Sequence, residues 1–481
     1  MNHSLQRLRD ILWSRPGWFI LAFIIGLATL GRFWSLGLAD PLTDEPSYLF
    51  RSLGYFDFLA SPYQTTPLEW SSERAWWTWL SFHDHPPFHF LLQFLLFKIT
   101  GVSLVAGRIL PALAGVGTVV IIFDLLRRLS DLRVAVIGGL LLAVNAHMLW
   151  ISRIGLQESL VLFLVFLSLW LTHQLIRRRR AYLWVGAVMG LAIMTKLTAI
   201  IIVPLTLLFW FIVHRDEWRW SKVLSVLLVA GAFFLPQAVY NLAMYNQYHH
   251  FDFQFSYYFQ QASPWLSRPG RAEFASQGLA ARYFLPNLRS VISPVAVLLF
   301  MVSLFLAVWL LWRHKLNDQS RIVYYLLIAT CMTSLWLLFI GPSWRFLSLL
   351  LPWLLMIVAF ILARITKVKF LSGLVCLILI WEILFSWNTI FSLDWPGKRQ
   401  WTYSAAKAHE YPYGYNQLEK ALQIFYDGKR PAIVLPVASP VINQFVQQRA
   451  VQMKGEAVAR VLIYDPRLYG EPLMWSLTRR L

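Results

Sequence analysis

About eleven long apolar stretches divide this chain, and the charged residues between them sort onto two sides. One side carries dense clusters of lysine and arginine, whereas the other carries a few charges of mixed sign. Because cytoplasmic loops of membrane proteins are enriched in lysine and arginine, the clusters predict which side faces the cytoplasm. The clusters are Arg127-Arg128-Arg133, Arg177 to Arg180, Arg215-Arg219-Lys222, Arg313-Lys315-Arg321 and Arg364-Lys367-Lys369.

The opposite side carries a sparse set of acids and bases, placed at or near the ends of the apolar stretches. Ionisable groups so close to hydrocarbon are costly, and they mark functional sites more often than structural ones. Their position predicts an active site on the outer face of the membrane. The set is Asp44-Glu45, Asp84, Arg108, Arg153, Glu158, Lys196 and Arg345.

The composition of the 481 residues excludes a soluble globular class. The chain is 58% hydrophobic and 14% charged, which is typical of a protein that crosses the membrane several times. A net charge of +19 would indicate nucleic-acid binding in a soluble protein, but here membrane topology and anionic lipid account for the basic loops. Cys331 and Cys376 both lie in apolar stretches, which argues against a disulfide framework and against a cysteine metal site.

The predicted fold class is an all-α polytopic membrane protein with about eleven transmembrane helices, since about 20 apolar residues cross the hydrocarbon core. The first span is predicted to be uncleaved, with a cytoplasmic N-terminus, so that every basic cluster lies inside and the C-terminus outside. The predicted spans are 17–36, 104–126, 134–151, 159–176, 182–198, 199–214, 222–241, 290–312, 322–341, 346–363 and 370–388.

This threading predicts a transmembrane domain over residues 1–388, with outer loops at 37–103 and 242–289. The apolar run after Pro86-Pro87 is short for a crossing, and it is predicted to be an interfacial or re-entrant helix. The tail, residues 389–481, is close to a soluble composition and alternates helical with strand-like patterns. It predicts a small soluble extracytoplasmic α/β domain.

The segment TDEPSYLFRSL follows the first span and places two adjacent carboxylates, Asp44 and Glu45, at the outer surface. One interpretation is structural, with Thr43 or Asp44 capping a helix and Pro46 in its first turn. The other is catalytic, because a partly buried carboxylate within reach of a hydroxyl acts as a general base. The two interpretations are compatible. Tyr48, in the same segment, is assigned to the surrounding pocket.

The segment HDHPPFHF contains His83, Asp84, His85 and His89, and His249-His250 lie in the second outer loop. Imidazole and carboxylate form a suitable ligand set for zinc or manganese. The spacing matches no specific metal motif, and histidines also suit a polar membrane interface. The tentative metal ligands are His83, Asp84, His85 and His249.

Arg153, Glu158, Lys196 and Arg345 lie at separate turns on the outer side. Taken singly, each residue is explained if its side chain extends from a helix end to the membrane–water interface. Together, outer basic residues run against the usual orientation bias, and an anionic ligand would explain them. Arginine suits phosphate because its donors form a planar fork.

In chain order these residues form a known pattern. It consists of Asp44-Glu45, then Asp84-His85-Pro86-Pro87, Arg108 in AGRILPAL, Arg153 with Glu158, Thr195-Lys196, and Trp344-Arg345-Phe346. The pattern covers roughly residues 17–360 and resembles the membrane glycosyltransferases of the C fold. Within them it is similar to the protein O-mannosyltransferase and aminoarabinose-transferase group.

The resemblance implies a multi-pass enzyme of the cell membrane that uses a polyprenyl-phosphate-linked sugar, with no nucleotide sugar. It implies Asp44 as the catalytic base with Glu45 beside it, and Arg345, Lys196 and Arg153 at the donor phosphate. Glu158, Arg108 and Tyr48 are implied as pocket residues. Asp84 matches an acid that takes part in a metal site in the aminoarabinose branch, so a divalent metal (zinc, magnesium or manganese) stays open.

The predicted reaction moves a hexosyl or pentosyl group, with inversion, to an acceptor hydroxyl on a glycan, a lipid or a protein. The alternative is a transporter or flippase of a lipid-linked or anionic solute, in which the charges would line a pathway. Transporters often show paired repeats and interrupted helices near the midplane. Here the unusual charges gather at one face and no two halves match, which favours the enzyme.

Overall fold

The fold is known from a computed structural model, which describes most of the chain. The described residues are 15–42, 44–54, 76–82, 85–249, 251–259, 281–313, 318–365, 369–391, 401–410, 412–434, 447–448, 450–459, 465 and 475.

The first half of the chain folds into ten helices that surround a buried apolar core. They are α1 (Arg15–Phe33), α2 (Glu45–Gly54), α3 (Phe88–Thr100), α4 (Leu104–Leu129), α5 (Leu132–Val144), α6 (Ala146–Arg153), α7 (Glu158–Leu175), α8 (Leu183–Thr195), α9 (Ile202–Val213) and α10 (Trp220–Tyr248). Short 3-10 turns occupy Trp76–Trp79, Leu197–Ile201 and Arg215–Glu217.

The second half adds further apolar helices and a short tail. The helices are α11 (Phe253–Tyr258), α12 (Ala281–Val291), α13 (Pro294–Arg313), α14 (Asp318–Ile340), α15 (Leu351–Ile365), α16 (Lys369–Ile390) and α17 (Tyr415–Phe425). Further 3-10 turns occupy Phe346–Leu349 and Ala405–His409. Two parallel strands, β1 (Lys429–Pro431) and β2 (Glu456–Val458), pair Lys429 with Glu456.

Local sequence signals explain where the central helices begin. Ser103 and Asp131 precede α4 and α5, and their side chains accept hydrogen bonds from backbone N–H groups in the first turns. Asn145 separates α5 from α6 and caps α6 in the same way, at 3.1 Å from the Met148 amide. The chain bends by 57° at this break. The bend directs the short helix α6 toward the loop that contains the site described below.

Helix α4 is the centre of the bundle, where it packs against α1, α5 and α7, while α15 packs against α5. Helices α8 and α10 approach so closely that a Cβ atom at Gly186 would lie 2.3 Å from the Val226 carbonyl oxygen. Small residues allow such backbone contact between helices in a membrane, where packing replaces the hydrophobic drive for association.

Every predicted span coincides with an apolar helix, but fewer than eleven of these helices are long enough to cross a membrane. Six helices are long and apolar enough to cross a membrane, and the bent pair α5–α6 makes up to seven. The helices over Gly17–Phe33, Leu183–Thr195, Leu197–Val213 and Leu351–Arg364 are apolar but shorter. These residues form a multi-pass membrane protein, and the count of eleven is a prediction. Helix α3 has only 13 residues, in keeping with the prediction that it does not span.

The tail is only partly as predicted. The helical pattern YNQLEKALQIFY forms α17, as expected. The strand-like segment PAIVLPV contributes only its first residue to β1, and β2 lies at Glu456–Val458, just before the strand-like segment RVLIYD. Residues 435–446 and 460–464 lie outside the described part. A separate α/β domain therefore stays a prediction.

Candidate active site

Four of the predicted residues form one continuous ionic chain at one end of the bundle. Arg345 Nη1 lies 2.5 Å from Asp44 Oδ2, and Arg345 Nε lies 3.1 Å from Glu158 Oε1. The same Glu158 oxygen accepts a hydrogen bond from Lys196 Nζ at 2.7 Å. Two acids and two bases, drawn from four separate turns, therefore alternate in sign along the chain Asp44–Arg345–Glu158–Lys196.

Each member of this chain is placed by the end of a helix. Asp44 directly precedes α2, Glu158 is the first residue of α7, Lys196 follows the last residue of α8, and Arg345 precedes the 3-10 turn at Phe346. Helix ends leave backbone groups unpaired and project side chains beyond the helix barrel. Because all four lie at helix ends, the charges gather at one face of the bundle rather than along a path through it.

The members differ in how far water can reach them. The Asp44 side chain is 48% exposed and that of Arg345 is 18% exposed, whereas those of Glu158 and Lys196 are almost fully buried. Lys196 and Arg345 also lie over the Phe346 ring, at 4.6 and 5.1 Å from its centroid. The aromatic face stabilises both cations by a cation–π contact. The site is therefore open at Asp44 and closed at Glu158.

Opposing influences act on the pKa of Asp44. Burial raises the pKa, but the charge and the hydrogen bond of Arg345, assisted by His85 and Lys196, lower it below its ordinary value of 3.8. Asp44 is therefore ionised at neutral pH. Arg345 responds in the opposite sense, because Glu158 and Asp44 raise its pKa more than burial lowers it.

Tyr48 extends the site toward the histidine segment. Its hydroxyl lies 2.9 Å from His85 Nε2 and donates to Asp44 Oδ2 at 3.5 Å. The other ring nitrogen of His85 lies 3.5 Å from Arg51 Nη1. The predicted pocket residue Tyr48 thus connects the carboxylate of Asp44 to an imidazole on the next outer segment.

Glu45, the neighbour of Asp44, belongs to a different ionic group. Both of its oxygens accept from Arg108, Oε1 from Nε at 2.7 Å and Oε2 from Nη2 at 2.6 Å. Glu45 Oε1 also accepts from the Gly155 amide at 2.6 Å. Both partners are almost fully buried. The predicted residues Glu45 and Arg108 are therefore brought together with each other, in a pair that lies beneath Asp44.

Arg108 has a second set of bonds that explains the position of the loop before α2. Its Nη1 donates to the carbonyl oxygens of Leu36 and Ala39, each at 2.9 Å, and Nη2 donates to that of Asp40 at 3.3 Å. One buried guanidinium thus fixes the backbone from residue 36 to residue 40 as well as the start of α2. It holds Asp44 in place indirectly.

Arg153 lies apart from the Asp44–Arg345–Glu158–Lys196 chain. Its Nη1 and Nη2 donate to carbonyl oxygens at the end of α1, among them Trp34 at 2.8 Å and Ser35 at 3.2 Å. Its guanidinium also lies over the Phe391 ring, at 4.9 Å. These donors close the open end of α1. Arg153 therefore supports the backbone after α1, and its role at a ligand stays a prediction.

The predicted metal ligands are described only in part. His83 and Asp84 lie outside the described residues, as does His250. His85 is engaged by Tyr48 and Arg51, and His249 is exposed at the left-handed end of α10. Among the residues that the structure describes, no three histidine, cysteine or acidic side chains converge in a way that holds a metal ion.

Sequence reasoning missed several residues that shape the site. Asp40 lies four residues before Asp44, and a lone acid carries no signal of its partners. Trp344 belongs to the predicted Trp344-Arg345-Phe346 element, but the sequence does not indicate which rings it contacts. His409 and Glu410 lie in the tail, which was predicted to be a separate domain. His89 was noted only as one of a histidine group, and its ring is fully buried with neither nitrogen hydrogen-bonded in the described part.

Comparison with known proteins identifies sequences similar to part of this chain. A family model for dolichyl-phosphate-mannose-protein mannosyltransferases matches residues 84–240. An uncharacterized protein of Aquifex aeolicus is 29% identical over 163 residues, which are 32% of this chain and 33% of that protein. The chain thus aligns with about a third of the length of this relative.

Solved structures with the same fold include two membrane glycosyltransferases. ArnT from Cupriavidus metallidurans, solved with undecaprenyl phosphate, has a TM-score of 0.54 at 16% identity, over 80% of this chain and 67% of that chain. The oligosaccharyltransferase AglB from Archaeoglobus fulgidus, solved with an inhibitory peptide and dolichol phosphate, has a TM-score of 0.54 at 14% identity, over 97% and 64%. The chain therefore has the fold of ArnT and AglB, and the family-model match over residues 84–240 confirms its resemblance to the mannosyltransferase group.

The buried Glu45–Arg108 pair predicts a large stability effect. In Glu45→Gln the Arg108 guanidinium stays buried without its counter-charge, so we expect a loss of about 3–5 kcal/mol in the free energy of unfolding. The measurement is SDS-induced unfolding of the purified chain. The control is Arg177→Ala, which removes a largely exposed partner 3.6 Å from Glu217 and is expected to cost about 0–1 kcal/mol. Equal losses in the two variants would contradict the structural role of Glu45.

Proposed function

We propose that this chain transfers a hexosyl or pentosyl group from a polyprenyl-phosphate-linked donor to an acceptor hydroxyl, on the extracytoplasmic face of the cell membrane. The observation that carries the proposal is the ionic chain Asp44–Arg345–Glu158–Lys196. It places an ionised, water-accessible carboxylate beside two cations at the outer end of an apolar bundle. A general base and a phosphate-binding pair are the two components that such a transfer needs.

The cations have capacity for a phosphate group. Arg345 uses Nη1 for Asp44 and Nε for Glu158, and its Nη2 makes no hydrogen bond or ion pair with any described residue. Lys196 uses one of its three donors, for Glu158. Two acids balance the two cations, so an arriving phosphate adds a negative charge and competes with Asp44 for Arg345. Donor binding would thereby release the carboxylate at the moment when a base is required.

The proposed reaction is a single displacement with inversion. Asp44 accepts the proton of the acceptor hydroxyl while the hydroxyl oxygen forms its bond to the anomeric carbon. The bond between that carbon and the phosphate oxygen breaks, and the polyprenyl phosphate leaves with the electron pair. Arg345 and Lys196 stabilise the negative charge that develops on the leaving oxygen. Such electrostatic stabilisation is usually the largest single contribution to catalysis.

The relatives support the donor class. ArnT has been solved with undecaprenyl phosphate and AglB with dolichol phosphate, which are both polyprenyl phosphates. The AglB structure with a bound inhibitory peptide supports a peptide as one kind of acceptor. For the present chain a glycan, a lipid and a protein all supply the hydroxyl that the mechanism requires.

A divalent metal is compatible with the chemistry of the histidine segment, and AglB has also been solved with zinc and sulfate. The residues described here do not form such a site, because His85 is engaged on both ring nitrogens by Tyr48 and Arg51. If a metal binds, Asp84 and His83 are the residues to examine, and the metal would supply positive charge that stabilises an anionic group. No step of the proposed mechanism depends on it.

The transporter alternative predicts charges along a path through the membrane. Here the four charges lie at helix ends on one face of the bundle, and Glu158 and Lys196 are almost fully buried. A transfer reaction requires a general base beside a phosphate-binding pair of cations, whereas transport of a solute through the membrane does not. The enzyme is therefore the function that we propose.

The proposal predicts a change in extracytoplasmic glycoconjugates. Cells with the active chain should contain a sugar-modified product that mass analysis does not find without the gene. Asp44→Asn should lower its formation by about 10²-fold or more, because general base catalysis contributes at least that much. Asp216→Asn, an exposed acid on the opposite face, is the control and should leave the product unchanged. Near-normal product from Asp44→Asn would remove Asp44 from the role of base.

The ion pair with Arg345 predicts the direction of a pH shift. In the wild type the pKa of Asp44 lies below 3.8, so activity should persist at mildly acidic pH and fall only when Asp44 becomes protonated. In Arg345→Gln the largest influence that lowers the pKa of Asp44 is gone while burial still raises it, so the acid limb of kcat/KM should move to higher pH. An unchanged limb together with reduced activity would contradict the pairing of Arg345 with the base.

The sidedness is tested by labelling in intact cells. Leu38→Cys, in a background with Cys331 and Cys376 replaced by serine, puts an exposed thiol on the loop that contains Asp44. A membrane-impermeant maleimide added outside should label this thiol, whereas Asp216→Cys should react only after permeabilisation. The opposite labelling pattern would place the Asp44 loop in the cytoplasm and defeat the proposal.

A further inference from the structure

The first part of the tail is fastened to the end of α16. Lys407 Nζ donates to the Asn388 carbonyl oxygen at 2.9 Å and to Asn388 Oδ1 at 3.0 Å. The Ser404 amide donates to Thr389 Oγ1 at 3.0 Å. Lysine at a helix C-terminus satisfies the open carbonyl groups there. The 3-10 turn Ala405–His409 is therefore held firmly on the membrane part of the protein.

The tail is also fastened to the loop that precedes Asp44. Asp40 accepts hydrogen bonds from the Gly414, Tyr415 and Asn416 amides, at 2.8, 3.3 and 2.7 Å, and thus caps α17 from outside. In return, Asn416 Nδ2 donates to the carbonyl oxygens of residues 37–39, at 3.1–3.2 Å. Tail and loop therefore hold each other by six hydrogen bonds.

Little space is left where the tail meets the Glu45–Arg108 pair. The cavity there has a volume of only about 10 Å³, which is room for about one water molecule. Its walls include Asp40, Arg108, Arg153, His409 and Glu410. The tail thus packs closely against the loop that positions Asp44.

His409 reaches from the tail to the residue next to Arg345. Its ring lies 4.5 Å from that of Trp344, and Trp344 stacks on Trp150 of α6 at 5.0 Å with 14° between the planes. The His409 ring also lies 5.6 Å from that of Trp150, so Trp344, Trp150 and His409 form one cluster of three rings that joins the tail to the bundle. Burial lowers the pKa of His409 to about 4, so the ring is neutral at physiological pH and packs as an aromatic group.

The segment that contains Arg345 needs support from side chains because it has no regular helix. Helix α14 ends at Ile340, Gly341 adopts a positive φ of 98°, and the 3-10 turn begins only at Phe346. Asn287 binds the Pro342 carbonyl oxygen at 2.8 Å on one side. The packing of Trp344 against Trp150 and His409 supports the segment on the other side.

We propose that His409 is a positioning residue of the site: it fixes Trp344, and through Trp344 it holds the Arg345 guanidinium where the donor phosphate binds. The tail is then a part of the phosphate-binding machinery rather than an independent domain. The link from His409 to the donor rests on the proposed function, whereas the link from His409 to the segment of Arg345 rests on the contacts alone.

The two links are tested separately with His409→Ala and His409→Phe. The first readout is backbone hydrogen exchange of residues 341–349 in the purified chain without donor. His409→Ala should speed this exchange, and His409→Phe, which keeps a neutral aromatic ring, should restore it. Gln417→Ala, an exposed position on α17, is the matched control and should exchange like the wild type. Unchanged exchange in His409→Ala would overturn the positioning role.

The second readout is the affinity for undecaprenyl phosphate in detergent. His409→Ala should weaken binding by about two- to tenfold, as expected for the loss of one aromatic contact, and His409→Phe should bind like the wild type. Faster exchange with unchanged affinity would overturn the link to the donor. A wild type that does not bind undecaprenyl phosphate would overturn the proposed donor class, and the exchange readout would still decide the role of His409.

Discussion

The bridge that Arg345 makes between Asp44 and Glu158 is the interaction on which the site depends. A buried carboxylate such as Glu158 is costly without cationic partners, and here it has two, Arg345 and Lys196. Besides Glu158, Arg345 also pairs with Asp44, through Nη1, at the open side of the site. The same guanidinium thus stabilises the buried acid, keeps the exposed acid ionised and leaves one nitrogen for a ligand.

Adjacent residues take opposite roles because a helix begins between them. Asp44 lies just before α2 and its side chain reaches water, whereas Glu45 starts the helix and turns inward to Arg108. The pairing of Glu45 with Arg108 also fixes the carbonyl groups of the preceding loop. Glu45 therefore has a structural role beside the proposed catalytic Asp44, because Glu45 and Arg108 hold the backbone that positions Asp44.

The tail changes the interpretation of the chain as two parts. Its hydrogen bonds to residues 37–40 and its ring contact with Trp344 join it to both segments that supply the exposed members of the site, Asp44 and Arg345. In a membrane bundle, helix packing supplies rigidity within the bilayer, but loops outside it need their own contacts. Here the tail supplies those contacts, which gives a soluble-looking sequence a place in a membrane-embedded site.

The sequence by itself determined the apolar helices and singled out the candidate site residues, and the tertiary structure decided which of those residues meet. Apolar length and basic loops indicate helical segments and their sidedness locally, and motif order singled out Asp44, Glu158, Lys196 and Arg345. The pairing of Asp44 with Arg345 could not be predicted from the sequence, because the two residues are 301 positions apart and several other residues of opposite charge could pair with each of them. Likewise the sequence predicted Arg153 at the donor phosphate but did not show that the backbone carbonyls at the end of α1 accept its hydrogen bonds.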